Sequence, residues 1–155
     1  MLTANAIGFD EVENNLKTIQ VKADKALQDE LVRSGYRVKS ESERTLTRES
    51  KVATGALRSS ARVIQRPGNV KVEYNAKYAS VVEFGRRAGK FPPLQPMEDW
   101  VKKRGLADDP KEIKQVAFLV SRKIARNGIK PTPYLVPAFR KEALRLKTRL
   151  KGIIK

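Results

Sequence analysis

Residues 10–48 read DEVENNLKTIQVKADKALQDELVRSGYRVKSESERTLTR, and the reading of this stretch decides the fold. Phe9, Val12, Leu16, Ile19, Ala23 and Ala26 recur at intervals of three and four, which places them on one stripe of a helix. The stripe then shifts through Leu27, Leu31, Gly35 and Val38. No proline precedes Pro67 and helix formers fill the segment, so the pattern predicts one helix from about Asp10 to about Arg48. At the α-helical rise such a helix is roughly 58 Å long, against a radius of gyration of about 15 Å for a compact domain of this size. It must overhang its own body. Either it bends near Ser34-Gly35 and folds back on the core, or its far end packs on another subunit, and the subunit contact is the expectation.

After Lys51 the period changes from helical to alternating. Ala61, Val63 and Gln65 alternate with Arg62 and Ile64, Pro67-Gly68-Asn69 supplies a turn, and Val70, Val72 and Tyr74 alternate with Lys71 and Glu73, which predicts a β-hairpin. Tyr78–Phe84 is a short apolar run, open between a third strand and a helical turn, and is counted here with the sheet over residues 59–85. Gly85–Lys90 is a basic, glycine-bounded loop, expected to be mobile before assembly.

The remainder is helical. Pro92-Pro93 and Pro96 set an extended entry to a short helix with Trp100 and Val101, Trp100 being a core candidate, which Gly105 can end in the left-handed conformation. Asp109-Pro110-Lys111-Glu112 places a capping carboxylate, a first-turn proline and a reciprocal glutamate in the order a helix start uses. Ile113, Val116, Ala117, Val120 and Ile124 then share a face until Asn127-Gly128. After the non-helical Lys130-Pro131-Thr132-Pro133, Pro137 suits a first helical turn. From there Phe139, Ala143, Leu146, Leu150 and Ile153 trace an apolar stripe opposite Arg140, Lys141, Arg145, Lys147, Arg149 and Lys151.

The predicted fold is α+β with segregated elements. It has a long N-terminal helix (10–48), a small antiparallel sheet made of the hairpin plus one strand (59–85), two middle helices (96–127) and a C-terminal amphipathic helix (137–155). At 155 residues and 40% hydrophobic content the chain fits one domain, 1–155, with one real core.

Composition narrows the chemistry. There is no cysteine and no histidine, which removes thiolate and disulfide chemistry and the usual metal ligand and proton shuttle. The carboxylate pairs Glu98-Asp99 and Asp108-Asp109 do not read as a site, since adjacent helical residues point apart and Asp109 is spent on capping. No enzyme, cofactor or small-molecule substrate is expected. No stretch reaches the roughly 20 apolar residues of a membrane span, and the N-terminus lacks a secretory layout, so a cytoplasmic stage before assembly is expected.

The net charge of +16 is uneven: residues 1–50 hold 8 Lys+Arg against 9 Asp+Glu, and residues 51–155 hold 25 against 8. Such a field favours anionic partners. Sequence-independent DNA binding is therefore the alternative function, although no zinc spacing, RNA-recognition aromatic pair or helix-turn-helix is present. A membrane-surface role for the basic tail is weaker, because its apolar stripe is needed for the core.

Three stretches, in order, carry a family resemblance: Thr54-Gly55-Ala56-Leu57-Arg58-Ser59-Ser60, Tyr78-Ala79-Ser80-Val81-Val82-Glu83-Phe84-Gly85 and Pro133-Tyr134-Leu135-Val136-Pro137-Ala138. Together they resemble the tail-component family of tailed phages, the small neck and tail-completion proteins. Gly85 here leads into Arg86-Arg87 and the segment 96–127, which resembles a longer branch of that family. Independently of the name, Thr54-Gly55 can end the long helix, Glu83 beside Arg86 and Arg87 can form a local or intersubunit ion pair, and the Pro133–Pro137 clasp can pin the last helix to the sheet.

The resemblance implies a structural virion protein of the head–tail junction. Identical copies would form a ring around the DNA path, against connector or head-closure proteins on one side and tail-terminator or tail-tube proteins on the other, with packaged DNA a further partner of the basic part. Rings need a different patch on each side of the subunit. The candidate interface residues are Leu16, Ile19, Leu27, Leu31, Glu83, Phe84, Arg86, Arg87, Lys90, Arg145 and Arg149.

Overall fold

The computed structural model describes residues 9–49 and 55–153. The N-terminal element is one unbroken helix, α1 (Phe9–Arg48), followed by a single helical turn, α2 (Ala56–Ser59), and a hairpin of β1 (Ala61–Arg66) and β2 (Asn69–Tyr74). Four further helices follow among the described residues: α3 (Ala79–Phe84), α4 (Leu94–Lys103), α5 (Pro110–Asn127) and α6 (Leu135–Ile153). This is the expected α+β architecture, with a sheet of two antiparallel strands. The apolar run Tyr78–Phe84 is therefore a helix and not a third strand. Its i, i+3 residues Ala79 and Val82 both pack on the core formed by Leu46, Leu57 and Tyr134, a contact that helical spacing provides and period-two alternation would not.

The hairpin lies along α1. Its strands pair Val63 with Val72 and Arg66 with Asn69, closing on Pro67-Gly68, with Gly68 at φ 68°. At the turn, the Gln28 side chain on α1 donates to the Arg66 carbonyl (3.1 Å) and accepts from the Gly68 N–H (2.9 Å). At the open end, the Ser42 and Tyr74 hydroxyls are 2.7 Å apart. Between these two anchors lies Gly35, where a β-carbon would meet Val70 Cγ1 at 2.6 Å and Val63 Cγ1 at 3.1 Å. Gly35 thus does not break the helix: α1 continues through it, and the missing side chain lets the sheet approach the helix backbone.

Two small cores result. Leu46, Leu57 and Tyr134 form one, with Tyr74 set edge-on to Tyr134 at 4.9 Å between ring centres. Val101, Ile113 and Ala117 form the other, between α4 and α5, with Trp100 partly buried against it and Arg104 over its ring. Asp109 caps α5 as its sequence position predicts, accepting from the Lys111 and Glu112 N–H groups. Gly105 (φ 60°) follows α4 with the positive φ expected of it, and Gly128 (φ 70°, ψ −163°) closes α5 in an extended positive-φ conformation open to glycine. Of the Thr54-Gly55 pair expected to end the long helix, Thr54 falls outside the described residues and Gly55 (φ 68°) instead precedes α2. The described helix ends at Arg48.

Candidate interaction surface

The first half of α1 leaves the body. Every residue from Glu11 to Leu27 is exposed, including Leu16 (61%) and Ile19 (62%) of the predicted stripe. Burying a Val, Leu or Ile side chain fully is worth about 1.5–3 kcal/mol, and here that gain is unrealised. From Gln28 onward the same helix is covered by the hairpin and α6.

Helix α6 docks on α1 through buried polar groups, and of the stripe the sequence suggests only Leu146 and Leu150, among the described residues, are half-buried. Phe139, Ala143 and Leu144 are exposed, whereas Ala138 and Glu142 are buried. Glu142 accepts from the Ser34 hydroxyl (2.9 Å), from Arg37 (3.4 Å) and from Arg149, while Glu30 accepts from Arg37 (2.8 Å) and Arg149 (2.5 Å). Two carboxylates, two guanidiniums and one hydroxyl thus fix the register of α6 on α1. Burial raises the Glu30 pKa, but the hydrogen bonds and charges of Arg37 and Arg149 outweigh it and hold the carboxyl below its ordinary range. Lys141 and Glu41 add an outer pair at 2.7 Å, with Lys141 pulling the Glu41 pKa down. Arg149, expected on the free basic face, is instead turned inward.

Because Glu142 and Arg149 set this register, the apolar stripe of α6 stands beside the hairpin with a cleft between them. The cleft has a volume of about 550 Å³ and a mostly apolar lining from Leu31, Val70, Val72, Leu135, Phe139 and Ala143, among others.

The second and third resemblance stretches form one device. Glu83 is buried, and its carboxylate accepts three backbone N–H groups at the start of α6: Tyr134 (2.8 Å), Leu135 (2.9 Å) and Val136 (3.0 Å). Proline at 137 has no N–H to satisfy, so the carboxylate completes the helix start, where a negative charge also opposes the helix dipole favourably. The local ion pair expected with Arg86 or Arg87 does not form. The backbone claims Glu83 because α3 aims it at that helix terminus.

The loop after Gly85 is tied down. Arg86 and Ile129 form an antiparallel bridge (2.9 and 2.7 Å), the Gly89 N–H bonds to the Ala125 carbonyl (2.7 Å), and the Arg86 guanidinium donates to the Lys90 carbonyl (2.6 Å). Gly85 (φ 74°) sits where a β-carbon would meet the Ile129 carbonyl at 2.6 Å, so glycine is required on steric and conformational grounds. Arg87, Lys90 and Phe84 face solvent.

Of the candidate interface residues, Leu31 reaches the cleft, while Leu16, Ile19 and Leu27 lie on the overhang. Arg145 lines a small polar cleft with Arg37, Glu41 and Lys141. Sequence reasoning missed Glu30, Ser34, Arg37 and Glu142. The available signal was Glu142 itself, the single acid on α6 among six bases, four residues from Ala138 and from Leu146. Among the described residues no group of three ligand-type side chains is placed to hold a metal ion, and no helix is long and apolar enough to cross a membrane.

Residues 10–85 match the family described as "Bacteriophage HK97-gp10, putative tail-component". The match includes the first two resemblance stretches. The third, at Pro133–Ala138, lies beyond it and is joined to it by the Glu83 cap. No curated protein and no solved structure matches the chain.

Proposed function

From the tail-component match over residues 10–85 we propose that the chain is a structural subunit of the phage head–tail junction, whose identical copies close into a ring around the DNA path. It works by binding and shape, without turnover. The observation that carries this reading is the overhanging half of α1, a rigid helix with an apolar stripe and no partner within its own described body. A closed ring needs two unlike patches per subunit, and a projecting helix on one side with the body on the other supplies them. Connector or head-closure proteins and tail-terminator or tail-tube proteins are its proposed neighbours. The basic residues after position 50 would face acidic surfaces of those neighbours or the DNA phosphates.

The test is a deletion of the gene in the phage that encodes the chain, with electron microscopy of the products and mass spectrometry of normal particles. Expected are untailed heads and free tails, and peptides of this chain in the wild-type particle. Normal tail attachment and infectivity without it sink the proposal. Retention on DNA in a gel shift at near-physiological salt, with no peptides in particles, would favour the DNA-binding alternative.

A further inference from the structure

The cleft between the hairpin and α6 is apolar, open and built on rigid elements. Its α6 wall, from Leu135 to Leu146, covers 11 residue steps, or about 17 Å of helix. The overhang's stripe runs 17 steps, from Phe9 to Ala26, so the wall takes up about two-thirds of it, as from Val12 to Ala23. The first two turns of the overhang are also opposed in charge to the cleft's walls, although Lys17, Lys22 and Lys25 follow them. Residues 9–16 hold three acids and no base, whereas α6 carries six bases against one acid and the hairpin three bases against one. The overhang cannot reach the cleft of its own chain, because α1 is continuous helix between Leu27 and Leu31 and would have to break there to turn back.

We infer that the cleft between β2 and α6 of one copy receives the first half of α1 from the next copy, with Val12, Leu16 and Ile19 seated against Val70, Val72, Phe139 and Ala143. This rests on the reading that the chain acts as an assembly of copies, and it names the contact. It is a head-to-tail contact, helix on one side and cleft on the other, so it propagates from copy to copy and closes only if the rotation between neighbours allows. The acidic start of α1 then lies along the basic flanks of α6, which fixes the direction of the inserted helix.

The chain has no cysteine, so engineered thiols report single contacts. Full-length Leu16→Cys, carrying a tag that shifts its mass, is mixed with Ala143→Cys or with Leu144→Cys and oxidised. All three positions are exposed, so the substitutions leave the fold intact. Ala143 lines the cleft and Leu144 does not. The expected result is at least a tenfold excess of the mixed disulfide with Ala143→Cys over that with Leu144→Cys, in concentrated protein or as a ladder in particles carrying the L16C/A143C double variant. Equal yields at the two positions, as for a cleft filled by another protein or by the chain's own terminal residues, overturn the inference. So does the absence of the cross-link both in solution and in particles. Cross-linking in solution by a chain that particles lack sinks the virion reading and keeps this one; a chain present in particles without the cross-link does the reverse.

Discussion

Glu83 and Tyr134, 51 positions apart, meet through a single hydrogen bond of 2.8 Å from the Tyr134 backbone N–H to the Glu83 carboxylate. The same carboxylate takes the N–H groups of Leu135 and Val136. One side chain from a six-residue helix therefore substitutes for the local cap that α6 lacks, and ties the C-terminal helix to the segment matched by the tail-component family.

Glu83→Ala leaves three N–H groups without their acceptor, that of Tyr134 buried and those of Leu135 and Val136 half-buried, and should cost about 3 kcal/mol, from about 1–3 kcal/mol for an unsatisfied buried donor and about 1 for a lost cap. Glu83→Gln keeps one carbonyl acceptor and should lose roughly half as much. Thermal denaturation followed by circular dichroism checks both. Equal stability of Glu83→Ala and the wild type would show that the cap does not hold α6.

Gly35→Ala should destabilise, although alanine is the better helix former by about 1 kcal/mol. The added carbon would meet Val70 Cγ1 at 2.6 Å and push the hairpin off α1, an overpacking cost of about 1–3 kcal/mol that exceeds the gain. The double variant Gly35→Ala/Val70→Ala opens the space again, so its denaturation midpoint should recover part of the loss. A more stable single variant would refute the close-approach role.

Glu30 has a folded pKa below its ordinary value of 4.5. A depressed carboxylate contributes stability that is fully present above the unfolded pKa and is lost as pH falls through the folded one. The midpoint of unfolding should therefore be flat in this respect above about pH 5 and drop below pH 4.5, and Glu30→Gln should flatten the drop. At neutral pH, Glu30→Gln should also destabilise by about 1–2 kcal/mol, since Arg149 and Arg37 keep Glu142 as a partner and are partly solvated. An unchanged acid limb in Glu30→Gln would remove Glu30 from the account.

Leu16→Ser/Ile19→Ser should leave the unfolding midpoint of the isolated chain almost unmoved, within about 0.5 kcal/mol, because both side chains face solvent. Its association with other copies, read by light scattering on concentrated protein or by incorporation into particles, should be lost. Normal incorporation would show that the overhang is not an assembly surface.

Much of this protein is local and so was legible without coordinates. Helical period and the absence of proline fix α1, alternation around Pro67-Gly68 fixes the hairpin, and Asp109-Pro110 with Asn127-Gly128 delimit α5, because each depends on residues within a few positions of one another. The resemblance stretches were visible too, and the family match upholds them over residues 10–85. Tertiary structure alone decided the rest. Tyr78–Phe84 is too short for period to separate strand from helix, and its packing on Leu57 and Tyr134 settled the matter. Gly35 reads as a break until the hairpin lies across it. Glu83 reads as a partner for neighbouring arginines until α3 points it at a helix start 51 residues on. The face of α6 that is buried follows from Glu142 and Arg149 meeting Glu30 and Ser34, because a buried charge goes where its partners are, and partners more than 100 positions away leave no periodic trace.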